Sequence, residues 1–346
     1  LTATARPPQK STTVRSANTK LDEGSHLEKI APPPIAVIGA GSIGTAFAIV
    51  FARAGHEVRL HDADPGRLDP AGRLIEARLA DLAAFDLLDE PAAVIAGRIA
   101  ARADLGEALA GAVYAQECAP EDAALKCHLF TELDRLAPPS AVPPSAPPPT
   151  PTPATAAGLA GRARCLVVHP GNPPYLLPVA ELVPAPFTAS GTVDAAAALL
   201  EAAGMVPVRL EKEAEGFVFN RLQGAVLREA YCLVRDGVAS VEAVDAVMRA
   251  GLGRRWAVIG PFETADLNIR GGIEAHSRRM GPAYARMGAE RGQDDPWTPE
   301  LVARVAAERR ARLPLDAWEA RTAWRDRALM ALERCRRAQP DLFEPD

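Results

Sequence analysis

The first regular signal along the chain is an unbroken apolar run at 35–38, followed by closely spaced glycines and then by apolar residues at helical intervals. IAVIGAGSIGTAFAIVFARAGHEVRLHDAD, beginning at Ile35, reads as a buried strand, a tight glycine turn, an amphipathic helix and a second strand. Ile43, Phe47, Val50 and Ala54 share one helical face, and Gly55 supplies the stop. Further strands are predicted at 113–115, 165–168 and 206–210, separated by Ala- and Leu-rich helical stretches, a pattern that assembles as a doubly wound parallel sheet. Past the charged stretch 212–215 the alternation ends. In 219–236 Leu222, Val226, Ala230 and Leu233 recur at helical spacing and Gly237 closes the segment. The expected fold is therefore α/β, a Rossmann-type doubly wound parallel sheet over 35–212, followed by an all-helical domain over 213–346.

Two segments break the pattern. Residues 1–34 are polar, Ser/Thr-rich and Pro-tipped, with Arg6, Lys10, Arg15 and Lys20 ahead of the first acidic residue, Asp22. That composition suits a disordered tail or an organellar transit segment. PPSAVPPSAPPPTPTP, at 138–153, cannot continue a helix or a central strand and favours extended polyproline geometry. It reads as a surface linker between two sheet strands.

Composition narrows the class. A chain of 346 residues with 48% hydrophobic content can bury two modest cores, and no apolar run is long enough to cross a membrane. The net charge of −5 argues against nucleic acid as a partner, because the Arg-rich C-terminal stretches are interleaved with Glu and Asp. Cys118, Cys127, Cys165, Cys232 and Cys335 form no CxxC pair and read as free thiols, which points to a cytoplasmic protein, or an organellar one if the tail is a transit segment. No metal-ligand spacing stands out.

Chemistry concentrates at two places. Gly39, Gly41 and Gly44 form GxGxxG between a strand and a helix, with Ser42 and Ile43 opening the helix. The first glycine permits the turn, the second lets a pyrophosphate approach the backbone, and the third allows the helix to pack closely on the strand. Asp62 ends the next strand, where a carboxylate binds ribose hydroxyls. Asp64 adds negative charge and no Arg follows immediately, so NAD is favoured over NADP, with Arg67 the one contrary residue. The second place is LVVHPGNPPYLLPVAELV, from Leu166 to Val183. Between His169 and Glu181 the chain can leave a strand, turn and return with the carboxylate facing the imidazole, which is a general base with its orienting partner. Asn220 in GFVFNRLQ is either an amide donor to a substrate oxygen or a helix cap, and Arg255 in GLGRRWAVIGP is either a clamp on a substrate carboxylate or a solvated side chain.

Taken with QECAPED at 116–122, HPGNPPYLLPVAELVPAPFT and GLGRRWAVIGPFETADLN, these stretches resemble the 3-hydroxyacyl-CoA dehydrogenase superfamily, and within it the branch containing lambda-crystallin and L-gulonate 3-dehydrogenase. The resemblance runs from about residue 35 into the C-terminal region. It implies an NAD-binding domain followed by a helical domain that forms a homodimer, with the active site in the cleft between them. By motif position it makes His169 the base, Glu181 its partner, Asn220 a contact to the substrate oxygen and Glu117 a residue near the nicotinamide. The substrate it implies is a 3-hydroxy acid such as L-gulonate, a carnitine-type acid or a 3-hydroxyacyl-CoA. One departure matters. The family carries a Ser/Thr-rich strand end of the type SSTS before the His strand, whose last Ser bonds the reacting oxygen, and its counterpart here falls at or near Pro148. Ser145, Thr150 or Thr152 could take its place. The loss leaves open a second reading, a catalytically impaired NAD-binding protein with a structural or regulatory role.

Overall fold

The computed structural model describes residues 32–142, 156–270, 272–291 and 314–339, with isolated helical positions between 300 and 311. The Pro-rich stretch beyond Val142, including Pro148, lies outside the described residues.

Strand β1 (Ile35–Ile38) is buried at all four positions, as a continuous apolar run requires of a strand covered on both faces. It lies between β2 (Val58–His61) and β4 (Tyr114–Glu117), and β3 (Ile99–Arg102) flanks β2, so the parallel sheet has the order β3-β2-β1-β4. Helix α1 (Ser42–Arg53) joins β1 to β2. The sequence places one apolar face on it; the structure buries Gly44–Ala52 on every side. Sheet, α2 (Leu68–Ala84) and α3 (Ala92–Ala96) all pack against it. Two more helices, α4 (Leu105–Leu109) and α5 (Ala123–Leu136), flank β4 in sequence.

The second group of strands departs from the all-parallel expectation. β5 (Leu166–Pro170) pairs antiparallel with β6 (Val179–Pro184), and β6 pairs parallel with β7 (Val206–Arg209) across α6 (Ser190–Ala202). A turn of eight residues between two apolar runs returns the chain as a hairpin, for which no crossover helix is needed. β3 is a further difference: it is half-exposed at the sheet edge, so its sequence carries little apolar signal. Between the two groups, Val142 bridges Tyr114 in parallel, beginning the position next to β4. Arg164 holds this junction by pairing with Asp134 at 2.7 Å and donating to Pro138 O and Ala141 O.

Past β7 the described residues are helical: α7 (Phe219–Arg235), α8 (Val241–Val247), α9 (Gly253–Trp256), α10 (Pro261–Leu267), α11 (Gly272–Arg291) and α12 (Trp318–Ala338). α12 returns to the sheet half, where Met330 is fully buried in the main core. No helix of the described residues is long and apolar enough to cross a membrane.

One buried ion pair lies at the end of β4. Glu117, ending β4, accepts from Lys126 Nζ at 3.0 Å, and both side chains are buried. Removing one member of such a pair takes the counter-ion from a charge held in the interior. Lys126→Met is therefore expected to cost about 3–5 kcal/mol in chemical denaturation, with part recovered in the Glu117→Gln/Lys126→Met double variant.

Candidate active site

The glycine turn meets each of its three requirements differently. Gly39 has φ +111°, and a Cβ there would lie 2.5 Å from Cys118 O. At Gly44 a Cβ would lie 1.8 Å from Gly39 O, so only glycine lets α1 come down onto the turn. At Gly41 a Cβ would meet nothing within 4 Å. Gly41 is also the N-cap of α1, without a side-chain cap, so the Ser42 and Ile43 amides lie at the positive end of the helix, which suits a pyrophosphate. Asp62 is half-buried beside the turn, where Oδ2 accepts from Ala40 N at 2.8 Å and Oδ1 from Asp64 N at 3.0 Å. The ribose-binding candidate thus also fixes the loop, an arrangement that fits NAD.

Glu117 stands at the end of the neighbouring strand. Its carboxylate is turned inward, accepting from Lys126 Nζ and from Ala119 N at 2.6 Å, which shapes the Cys118–Ala119 turn against Gly39. Lys126 was not singled out by its sequence, because a lysine in AALKCHLF reads as a solvated helix position. Burial, followed by the Glu117 charge, pushes the Cys118 thiol well above the usual range and keeps it protonated at neutral pH.

His169 and Glu181 are directly opposite one another in the β5–β6 register. His169 Nδ1 and Glu181 Oε2 are 2.6 Å apart, with 13% and 4% of the side chains exposed. Nδ1 is thereby committed, and Nε2 is the nitrogen left for a substrate proton. The other carboxylate oxygen, Oε1, accepts from Val218 N at 2.7 Å and Phe219 N at 2.9 Å. These amides open α7, whose N-cap, Val218, has no side-chain acceptor of its own. A carboxylate suits that helix end in both hydrogen bonding and dipole. The turn into α7 is made by Gly216 at φ +77° and Phe217 at φ +49°. For phenylalanine that backbone costs on the order of 1–2 kcal/mol. Burial against Val167 and Val183, worth roughly 1.5–3 kcal/mol for such a side chain, offsets it. Phe217 and Phe219 also flank the imidazole, with ring centroids at 5.5 and 6.2 Å.

Asn220 is exposed in the first turn of α7, next to the Phe219 amide that holds Glu181. It is not the cap; that role falls to Glu181. Arg255, exposed on α9, donates to Asn268 Oδ1 at 3.1 Å within its own motif.

A dinucleotide turn on a parallel sheet, beside a histidine–carboxylate pair locked to a helical region, defines a nicotinamide-dependent dehydrogenase. Residues 34–214 match the 3-hydroxyacyl-CoA dehydrogenase NAD binding domain, and 216–312 match the C-terminal domain of the same family. The chain belongs to the 3-hydroxyacyl-CoA dehydrogenase family, and its cofactor is NAD. It is 39% identical over 314 residues to the lambda-crystallin homolog of Bos taurus, covering 90% of this chain and 98% of that protein. The L-carnitine dehydrogenase of Streptomyces griseus is 36% identical over 272 residues, 77% of this chain and 78% of its own. Among solved structures, the NAD-dependent dismutase 5-formyl-3-hydroxy-2-methylpyridine 4-carboxylic acid 5-dehydrogenase superposes with TM-score 0.75 at 27% identity, covering 87% of this chain and 97% of the other.

The two glycines separate folding from binding. Gly44→Ala is expected to lower stability by roughly 3 kcal/mol. Gly41→Val should cost about 1 kcal/mol at most, yet abolish NADH fluorescence enhancement, because its side chain would enter open space at the start of α1, where the pyrophosphate is expected.

Proposed function

We propose that this protein oxidises the 3-hydroxyl of a free 3-hydroxy acid, with His169 as general base. The carrying observation is the 2.6 Å His169–Glu181 contact, with Glu181 fixed from its other side by Val218 N and Phe219 N. His169 Nε2 takes the hydroxyl proton as the C3–H bond breaks. NAD, when bound, accepts the hydride, and the alcohol leaves as a ketone. Glu181 holds the imidazole in the tautomer with Nδ1–H and stabilises the imidazolium. Asn220 donates to the carbonyl oxygen as charge develops on it, and Arg255 receives the substrate carboxylate. The similarity to an enzyme named for L-carnitine, itself a free hydroxy acid, supports the free acid over the thioester.

Purified protein with NAD should form NADH from one of L-gulonate, 3-hydroxybutyrate and L-carnitine in preference to 3-hydroxybutyryl-CoA. His169→Gln should lower kcat by about 10²–10⁴-fold with NADH affinity retained. A near-normal rate in that variant would remove His169 from the mechanism. NADH binding with no turnover on any of the four would favour the impaired reading that Pro148 raises.

The helical region supports a homodimer as the working form. Along α7, Leu222, Val226 and Leu227 are 56%, 37% and 42% exposed, an apolar stripe that water disfavours. In sedimentation velocity the Leu222→Asp/Val226→Asp variant is expected to run at monomer mass while still binding NADH.

A further inference from the structure

The C-terminal helix lies along the first helix of the cofactor half. A cavity of about 220 Å³ is lined by Ser42, Thr45 and Ile49 of α1 and by Asp326 of α12. A second, of about 640 Å³, is lined by Val50 and Arg53 of α1 and by Glu333 and Arg337 of α12. Along both helices the numbers rise in the same direction, so α12 accompanies α1 for about three turns, from beside the dinucleotide turn to the far end of α1. Between Asp326 and Glu333, Met330 is fully buried, in the same core cluster as Phe47, Ile49 and Val50.

The far end of α12 is clasped to the corner between α2 and α3. Arg337 donates to Leu87 O at 3.3 Å and meets Glu333 at 3.2 Å and Asp89 at 3.8 Å, and Arg334 lies 3.7 Å from Asp86. Arg53 of α1 donates to the same Leu87 O at 3.1 Å, so one carbonyl ties both helices together. Arg53 and Arg337 stand in the last turns of their helices, where a cation suits the carbonyl end. The packing is nonetheless open: cavities flank Met330 at both ends, and exposed ion pairs such as those of the clasp contribute little. That combination marks an element able to open locally, whose docking a ligand can shift.

The glycine turn leaves α1 no room to shift. A Cβ at Gly44 would lie 1.8 Å from Gly39 O, and the first amides of the same helix are those that suit the pyrophosphate. We propose that α12 is a working part of the cofactor site. Docked, it keeps α1 seated on the glycine turn, with Met330 as the positioning residue, and NAD binding and α12 docking strengthen one another. Such coupling is reciprocal, and effects of about fivefold or more are ordinary for it. It involves the cofactor alone and is independent of the substrate and of the activity proposed above.

The test compares amide hydrogen exchange of the full chain with and without saturating NADH. Exchange across α12 should slow at least about threefold, while α11, in the helical half, exchanges as before. Met330→Ala should speed exchange in α12 and raise the NADH Kd at least about fivefold. Leu332→Ala, at a 51% exposed position of the same helix, should change neither. Arg337→Gln loosens the clasp without opening the core and should act in the same direction as Met330→Ala, so it decides the matter if that variant does not fold. Unchanged α12 exchange on NADH binding would overturn the coupling, as would variants in which α12 exchanges faster while the NADH Kd stays native. Equal slowing in α11 would reduce the effect to global stabilisation and overturn it as well.

Discussion

The carboxylate of Glu181 is the joint on which the rest of the active site depends. One oxygen meets His169 Nδ1 at 2.6 Å, and the other takes the first amides of α7 at 2.7 and 2.9 Å. The same group therefore orients the His169 imidazole and seats the helical half on the sheet half. A neutral side chain could accept from the amides but could not stabilise an imidazolium. A carboxylate without the amides would have to be desolvated with only half its lone pairs satisfied. Both demands are met by a single residue because the antiparallel register sets positions 169 and 181 side by side on the hairpin.

The cofactor end obeys a different constraint, close approach of backbone to backbone. Gly44 cannot carry a Cβ because Gly39 O occupies its place, and Gly39 cannot because of Cys118 O. Three neighbouring strands of the sheet thus converge on one turn: β1 supplies it, β2 is followed directly by Asp62, which ties down Ala40, and β4 ends at Glu117, whose buried pair with Lys126 holds the Cys118–Ala119 corner. A dry ion pair is a costly way to brace a corner compared with apolar packing, but it fixes direction as well as distance.

What could be read from the sequence follows from how local each signal is. The βαβ opening and its glycines were legible because strand, turn and helix follow one another within some thirty residues and each glycine answers a local steric demand. His169 and Glu181 were legible as a pair, since the spacing admits a hairpin, although the sheet as a whole was expected to be parallel. The amides of Val218 and Phe219 were not legible, being backbone groups more than thirty residues beyond the carboxylate they meet. Nor was Lys126, whose burial is set by Glu117 on another element. Asn220 shows the same limit. Its place at a helix start admitted either a cap or a donor to a substrate oxygen, and the cap comes instead from Glu181 on a distant strand. Edge strand β3, half in water, has too little apolar patterning to announce itself.

The exposure of the two catalytic candidates follows from the same arrangement. Phe217 and Phe219 enter with α7 and stand against the imidazole, so the helical half that anchors Glu181 also excludes water from the pair. Lower local dielectric strengthens the attraction between carboxylate and imidazolium, provided the carboxylate is already satisfied, as Oε1 is. Glu181 can therefore be nearly sealed at 4% exposure, while His169 keeps 13%. Had the exposures been reversed, the carboxylate would be screened by solvent and the base would have no edge to offer. The order of burial, carboxylate inside and imidazole outside, is what the proposed proton transfer requires, and it is set by two amides and two aromatic rings from one turn of chain.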